Sequence, residues 1–462
     1  MDSDERLLKK SSGQSFHKPF LTVVFAFIAA LSTVAHSAAP ELTTPDDATI
    51  SLTRSACYGE CPDYTVVIHG DGRVHFSTEV AAVSGADVVF RQYARSQGVL
   101  LPGTHEDSVP PQNVAELLAQ FQRGGFWQLK DRYAARAMDN PTQIITLAVG
   151  GRHKQVIDYL GTEVGMPQAV LDLEDAIDRV AGTARWVEGN AALIPWLARQ
   201  GFDFHSVQAS ELAVAGERHG ADEAMVLALL DRGASLNLPV DDSPVPRKVA
   251  GAPEPAGVLL IQATIRRGHA QVFQRLAAHG WLARWGKAKA AEAFAEQAAG
   301  CSPKLVDAVA AAGIDIDTVE HRAPGSDWQD VQGRTALNVL GDSYACGPNK
   351  DARVQTALRL LAHGANPNHR DSEGHTPLYQ VEDLGLLNLL LANGADATIK
   401  SNTGESVVFG SWTDAIVLRL LQAGASPAGH YYDGMTLAQQ TALRKMPHVA
   451  KWLAHHPEAY RR

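Results

Sequence analysis

The 462-residue chain lacks the short motifs that announce the commoner catalytic sites. It has no G-x-S-x-G nucleophile turn, no H-E-x-x-H pair of metal-binding histidines, no G-x-x-x-x-G-K phosphate cradle and no G-x-G-x-x-G dinucleotide turn. Serine-hydrolase, zinc-protease, nucleotide-hydrolysing and dinucleotide-dependent chemistries are therefore without their signatures. Excess positive charge is lacking too: 41 Lys and Arg stand against 51 Asp and Glu, a formal net charge of −10. No stretch is basic enough to neutralise a phosphate backbone, which removes nucleic acid from the expected partners. Adjacent acids such as Glu174 and Asp175 fall on a predicted helix, where consecutive side chains point apart, so a solvated face is expected rather than an acid/base pair. The expectation is a protein that is not an enzyme, with no cofactor and no resident metal.

Long apolar runs are scarce, and the single one lies near the start. From Phe20, "FLTVVFAFIAALSTV" gives about 15 apolar or small residues, preceded by Lys9, Lys10 and Lys18. It is followed by "AHSAAP", whose small residues permit cleavage after Ser37 or Ala38. That is the form of a secretory signal peptide over residues 1–38. The run is short for a membrane span of about 20 residues; the alternative is an uncleaved anchor in an inner membrane, which would be the chain's only tie to a bilayer. No cysteine follows the run directly, so lipid attachment there is not indicated. The mature protein is expected outside the cytoplasm, in a bacterial periplasm. Cysteine is rare, but its count of 4 is even, and an oxidising compartment invites pairing.

What the chain does contain changes character near residue 188. From Ala48, "ATISLTRSA", "DYTVVIHG" and "GRVHFST" alternate apolar and polar residues and are rich in Val, Ile and Thr, the pattern of half-buried strands. A turn at Gly70, Asp71 and Gly72 joins the last two as a hairpin. The stretch from Ser84 to Ser108 predicts a strand near Val88 and then a polar loop. "VPPQNVAELLAQFQRGGFWQL" predicts a helix opened by Pro110 and Pro111, with Val114, Leu117, Leu118 and Phe121 inward. A second hairpin turns about Gly150 and Gly151. A second helix carries Val170, Leu173, Ile177 and Val180 inward. The order predicts an α+β domain over residues 47–188, two helices on an antiparallel sheet.

The residues "ISLTRSACYGECPDYTVVIHGDGRVHF", with "FWQLKDRY" and "IITLAVGGRHKQVIDY" after them, resemble the bacterial domain of unknown function 6438, whose mark is a "CYGxCPxY" core after the first strand. The resemblance implies a domain boundary and an extracytoplasmic habit, and brings no activity with it. Three roles are open to Cys57 and Cys61. A disulfide would pin the turn between the first two strands, with Gly59 absorbing the bend and Pro62 fixing the exit. A metal site would need further ligands, and His69 and His75 are the nearest candidates, at a spacing that matches no familiar finger. A redox pair lacks both the C-x-x-C spacing and a thioredoxin-like context. A metal-binding or redox-active protein built on this loop is the alternative to a binding protein.

The second half is punctuated by glycine. "GRTAL", "GHTPL", "GESVV" and "GMTLA" place Gly333, Gly374, Gly404 and Gly434 at intervals of 41, 30 and 30 residues. The endings "LLAHGANPN", "LLANGADAT" and "LLQAGASPA" place Gly364, Gly394 and Gly424 at steps of 30. Gly374 suits the positive φ of a tight turn, Thr376 is placed to cap the helix after it, and Pro377 suits that helix's first turn. Weaker endings occur at Gly201, Gly233, Gly280 and Gly313, and His456 stands where a further glycine would fall. These units resemble the ankyrin repeat family, with its "DxxGxTPLHxA" opening, "LLxxGAdvn" closing and unit of about 33 residues. The resemblance implies an all-α solenoid over residues 189–462, degenerate over 189–329, regular over 330–440 and capped to 462. Residues 239–256, rich in Pro, are expected as an exposed loop on one face. Cys301 and Cys346 each precede the second helix of consecutive units, so stacking implies a Cys301–Cys346 disulfide; two separately buried thiols are the alternative.

No such unit buries its apolar face alone, so stability comes from stacking, and the stack leaves a curved surface of turn tips for binding. By the resemblance, Gln332, Arg334, Glu373, His375, Thr403, Glu405, Asp433 and Met435 line that face, with Tyr379, Trp412, Tyr431 and Tyr432 nearby. Any one of them could equally be an ordinary solvated turn residue. The expected function is a secreted or periplasmic scaffold that holds a protein partner on this strip.

Overall fold

A computed structural model describes residues 47–58, 61–78, 98–240, 254–297, 301–321, 331–341, 345–346, 349–431 and 433–461. The signal peptide, the strand near Val88, Gly59, most of the 239–256 loop and Tyr432 lie outside these residues.

Seven strands form one sheet: β1 Thr49–Arg54, β2 Tyr64–His69, β3 Arg73–Ser77, β4 Thr104–Ser108, β5 Arg132–Ala134, β6 Gln143–Val149 and β7 Arg152–Tyr159. Their order is β4-β3-β2-β1-β6-β7-β5, antiparallel except where β5 runs parallel to β7. Register brings Ile50 opposite Ile68 and Leu147, and Leu52 opposite Val66 and Ile145. The period-2 pattern therefore puts these side chains on one face, where they are buried. Helix α2, Gln168–Ala181, lies on β1 and β2, and α1, Pro111–Arg123, packs on α2. Val114, Leu117, Phe121, Val170, Leu173 and Ile177 face inward, while Leu118 and Val180 are half-buried.

Two expectations are corrected. "THEDS" is an edge strand, β4, and not a polar loop. It has no apolar side chain, and its pairing with β3 from Arg73↔Ser108 to Ser77↔Thr104 overrides composition. Glu174 is not on a solvated face: it is only 4% exposed, because its turn of α2 is the one that lies on the sheet between Leu173 and Ile177.

After α3, Ala184–Val187, and α4, Leu193–Arg199, the chain is helical. The helices are α5 Val207–His219, α6 Glu223–Arg232, α7 Ala256–Arg267, α8 Ala270–Ala278, α9 Trp281–Trp285 and α10 Lys287–Gln297. They continue with α11 Pro303–Ala311, α12 Ala336–Gly341, α13 Lys350–Ala362, α14 Leu384–Ala392, α15 Asp414–Gln422, α16 Leu437–Leu443 and α17 Pro447–His455. One row of successive contacts runs α5, α7, α10, α12; another runs α4, α6, α8, α11, α13, α14, α15, α17. The glycines that close helices of the second row, Gly201, Gly233, Gly280, Gly313, Gly364, Gly394 and Gly424, all have positive φ. Among the described residues, no helix is long and apolar enough to cross a membrane.

Thr376 does not cap a helix. Residues 377–380 form only a turn, and the corresponding Val407–Gly410 is a short 3-10 helix. A side-chain cap at this position is made two units later, where Thr436 and Gln439 form a capping box at the start of α16. Both disulfides are present. Cys57–Cys61 spans the β1–β2 connection with Cα atoms 5.6 Å apart, and Cys301–Cys346 joins the entrances of α11 and α13 at 5.4 Å.

Candidate functional site

The turn glycines Gly333, Gly374, Gly404 and Gly434 all take positive φ, from 74° to 82°. Asp371 braces the second turn, its Oδ1 accepting the amides of Glu373 and His375 at 2.9 and 2.8 Å. The second and third tips each hook the one before: Ser372 N donates to Gln332 O and Asn402 N to Glu373 O, both at 2.8 Å. Asn402 also donates to Ser372 O and accepts from Arg370. This ladder fixes the tips in register.

Two adjoining grooves result. The larger, about 630 Å³, is lined by Tyr379, Gln380, Thr403, Glu405, Phe409, Trp412 and His430 among others. The smaller, about 290 Å³, is lined by Arg334, Asn338, Asp371, Glu373, His375 and Thr376, and shares Tyr379 and Gln380 with the first. The His375 and Tyr379 rings stack at 3.6 Å, nearly parallel. Burial, together with the negative charge of the nearby Glu405, pushes the Tyr379 hydroxyl's pKa well up, so it stays protonated. His375 Nδ1 lies 3.3 Å from Glu373. Arg334 donates to the buried Glu320 at 2.6 Å.

The remaining strip residues are placed differently. Trp412 is half-buried and engaged by the Tyr431 ring at 4.5 Å and by the Arg444 guanidinium 3.9 Å from its own ring. Tyr431 is not a surface aromatic: it is 3% exposed, packed on Phe409, with its hydroxyl directed to Val408 and Ser411 carbonyls. Asp433 and Met435 meet Gln440. Gln332 serves the ladder, and Thr403 Oγ1 bonds Ser401.

Three residues were not expected as groove residues. Thr376 is 3% exposed and its Oγ1 has no hydrogen-bond partner. Gln380, exposed, holds φ at +64°. His430 is exposed at the far rim. The grooves meet at the shared Tyr379 and Gln380, and Gly410 packs closely on both residues: a Cβ there would fall 2.9 Å from Gln380 N and 3.1 Å from the Tyr379 ring.

In the sheet domain, Asp178 gathers Arg54 Nε and Nη2 at 3.0 and 2.9 Å, the Tyr64 hydroxyl at 2.6 Å and Thr183 Oγ1 at 2.7 Å. A cavity of about 590 Å³ lies against this knot and Pro62. Glu174 stands 3.8 Å from Arg54, and one of its carboxyl oxygens has no partner. Burial pushes its pKa up to about 8, Arg54 only partly offsetting it. Each of these contacts closes within the domain, so the knot reads as a packing element. The sulfurs of Cys57 and Cys61 are bonded to each other, and His75 pairs with Glu106. Among the described residues, no group of three or more His, Cys, Asp and Glu side chains is arranged to hold a metal ion.

Residues 48–181 match the family model described as a domain of unknown function, DUF6438. Over 108 residues the chain is 31% identical to an ankyrin repeat-containing protein of Schizosaccharomyces pombe, a match covering 22% of this chain and 52% of that protein. The chain thus spans about half the length of this curated relative. Among solved structures, one chain of the Bd0816 predatory endopeptidase of Bdellovibrio bacteriovorus in complex with immunity protein Bd3460 aligns with 42% of this chain and 96% of its own length. The identity is 17% and the TM-score 0.31, a score from which no shared fold is inferred.

Proposed function

We propose that the helical half is an ankyrin-type stack that holds a protein partner along the turn tips between Gln332 and Met435, and that the chain does so outside the cytoplasm without catalytic residues of its own. The observation that carries this reading is the ladder of tips, which assembles Arg334, Glu373, His375, Tyr379, Thr403 and Glu405 around two adjoining grooves. A surface so braced loses little further entropy when a partner docks, the general advantage of a preorganised site. Location rests on two supports: the apolar segment after Lys18, and the pairing of all four cysteines, which suits an oxidising compartment.

The test is site-specific photocrosslinking in the producing cell. A benzophenone side chain at Thr403 or Gln380 is expected to trap one and the same protein. The same group at Leu358 or Leu384, exposed on α13 and α14, is expected to trap none. Crosslinks from the helix positions alone, or from no position, would remove the strip as the binding face.

A further inference from the structure

We infer that the two grooves around Tyr379 receive an arginine-bearing, extended segment of the partner; the inference rests on the binding role proposed above. Among the described residues, the groove linings carry three carboxylates and one guanidinium. These are Glu373, Glu405 and Asp371, and the one Lys or Arg among the described lining residues, Arg334, is already neutralised by Glu320. Among the described residues, neither Glu373 nor Glu405 pairs with a Lys or Arg, in contrast to Asp107, Asp178 and Asp231, which each hold an arginine.

Thr376 supplies a separate observation. Its hydroxyl is buried with no partner in a residue that lines the smaller groove, and an orphan of that kind is costly unless a bound group satisfies it. An arginine side chain matches this set in both charge and inventory, for it carries five N–H donors in a planar fork and no acceptor. Tyr379 lines both grooves, its ring stacked on His375 and close to Glu405. The two grooves meet at Tyr379 and Gln380, which suits a segment that crosses both.

The test uses the full chain and a nine-residue Gly-Ser peptide with two arginines, its binding followed by ligand-observed NMR. A matched peptide carries citrulline at both places, keeping the shape and losing the charge. The arginine peptide is expected to bind and the citrulline peptide to fail. The Glu373→Gln/Glu405→Gln double variant is expected to weaken binding at least about tenfold, as loss of charge-assisted hydrogen bonds implies. Asp351→Asn, which removes an exposed acid on α13, is expected to leave binding unchanged and so controls for unspecific attraction to an acidic protein. Thermal melting of the double variant checks that it is folded. Equal binding of both peptides, or equal loss with Asp351→Asn, overturns the inference. The trapped segment from the Thr403 crosslink separates this idea from the one beneath it. A segment without arginine refutes the arginine assignment while leaving the strip intact, whereas absence of any crosslink removes the strip itself.

Discussion

The two halves of the chain are held together by different ranges of contact. In the sheet domain, β1 pairs with β6 nearly a hundred residues later, and the Arg54–Asp178 bond spans 124 positions. In the helical half, ties reach mainly to the next unit: Arg370 to Asn402 across 32 positions, Arg419 to Asn388 across 31. A sheet closed by distant partners forms all at once, whereas a row of neighbours gains or loses stability unit by unit. Each half nevertheless buries an acid with an unpartnered oxygen, Glu174 in the sheet domain and Glu217 in α5.

The comparison breaks most visibly at Trp186. This side chain is fully buried against Phe76, His105 and Trp196, so Trp186→Ala is expected to cost about 3–5 kcal/mol in urea unfolding. The loss should appear as one transition of the sheet domain, and earlier melting of the helices alone would contradict the contrast. The disulfides come next. Loop-closure entropy assigns about 4 kcal/mol to Cys301–Cys346, separation 45, and about 2 kcal/mol to Cys57–Cys61, separation 4. Paired Cys→Ser variants compared by denaturant midpoint check that order.

Glu174 sharpens the contrast through pH. Its folded pKa of about 8 lies above that of the unfolded chain, so the folded state binds the extra proton. Its stabilising contribution is full below about pH 4.5 and is lost as pH rises through about 8. Melting of the wild-type sheet domain should show that decline, and Glu174→Gln should flatten it. The smallest effects lie within the helices. Gly257→Ala, whose Cβ would fall 2.2 Å from the Trp281 ring, is expected to cost about 1–3 kcal/mol by overpacking. Gly394→Ala meets no atom within 4 Å and pays only for its φ of +90°, about 1–2 kcal/mol. Thermal melts of the pair measure the difference.

Legibility in the sequence followed the same division. Glycines such as Gly374 and Gly394 could be read because their demand is on their own backbone. The inward faces of α1 and α2 could be read because periodicity is local. The Cys301–Cys346 bond was reachable only through the spacing of units. Features set by a neighbour were not readable: β4 exists because β3 pairs with it, and Tyr431 is buried because Phe409 comes to meet it. Thr376 looked like a cap from its position, yet the helix it would have capped shrinks to a turn. Of the candidate site, the tips were legible and the join between the grooves was not, since Tyr379 and Gln380 line both only once the segment around Glu405 and Phe409 packs beside them.

At the outer margin of the sheet, Trp196 Nε1 donates to the Glu106 carbonyl, and Arg185 and Arg199 both hold Asp107. Helix α4 therefore works as a guard rail on β4, covering backbone that another copy's strand would otherwise recruit. A fragment ending at residue 188 would lose Trp196 and Arg199 and is expected to self-associate in sedimentation, whereas one carried through residue 199 keeps the rail and stays single.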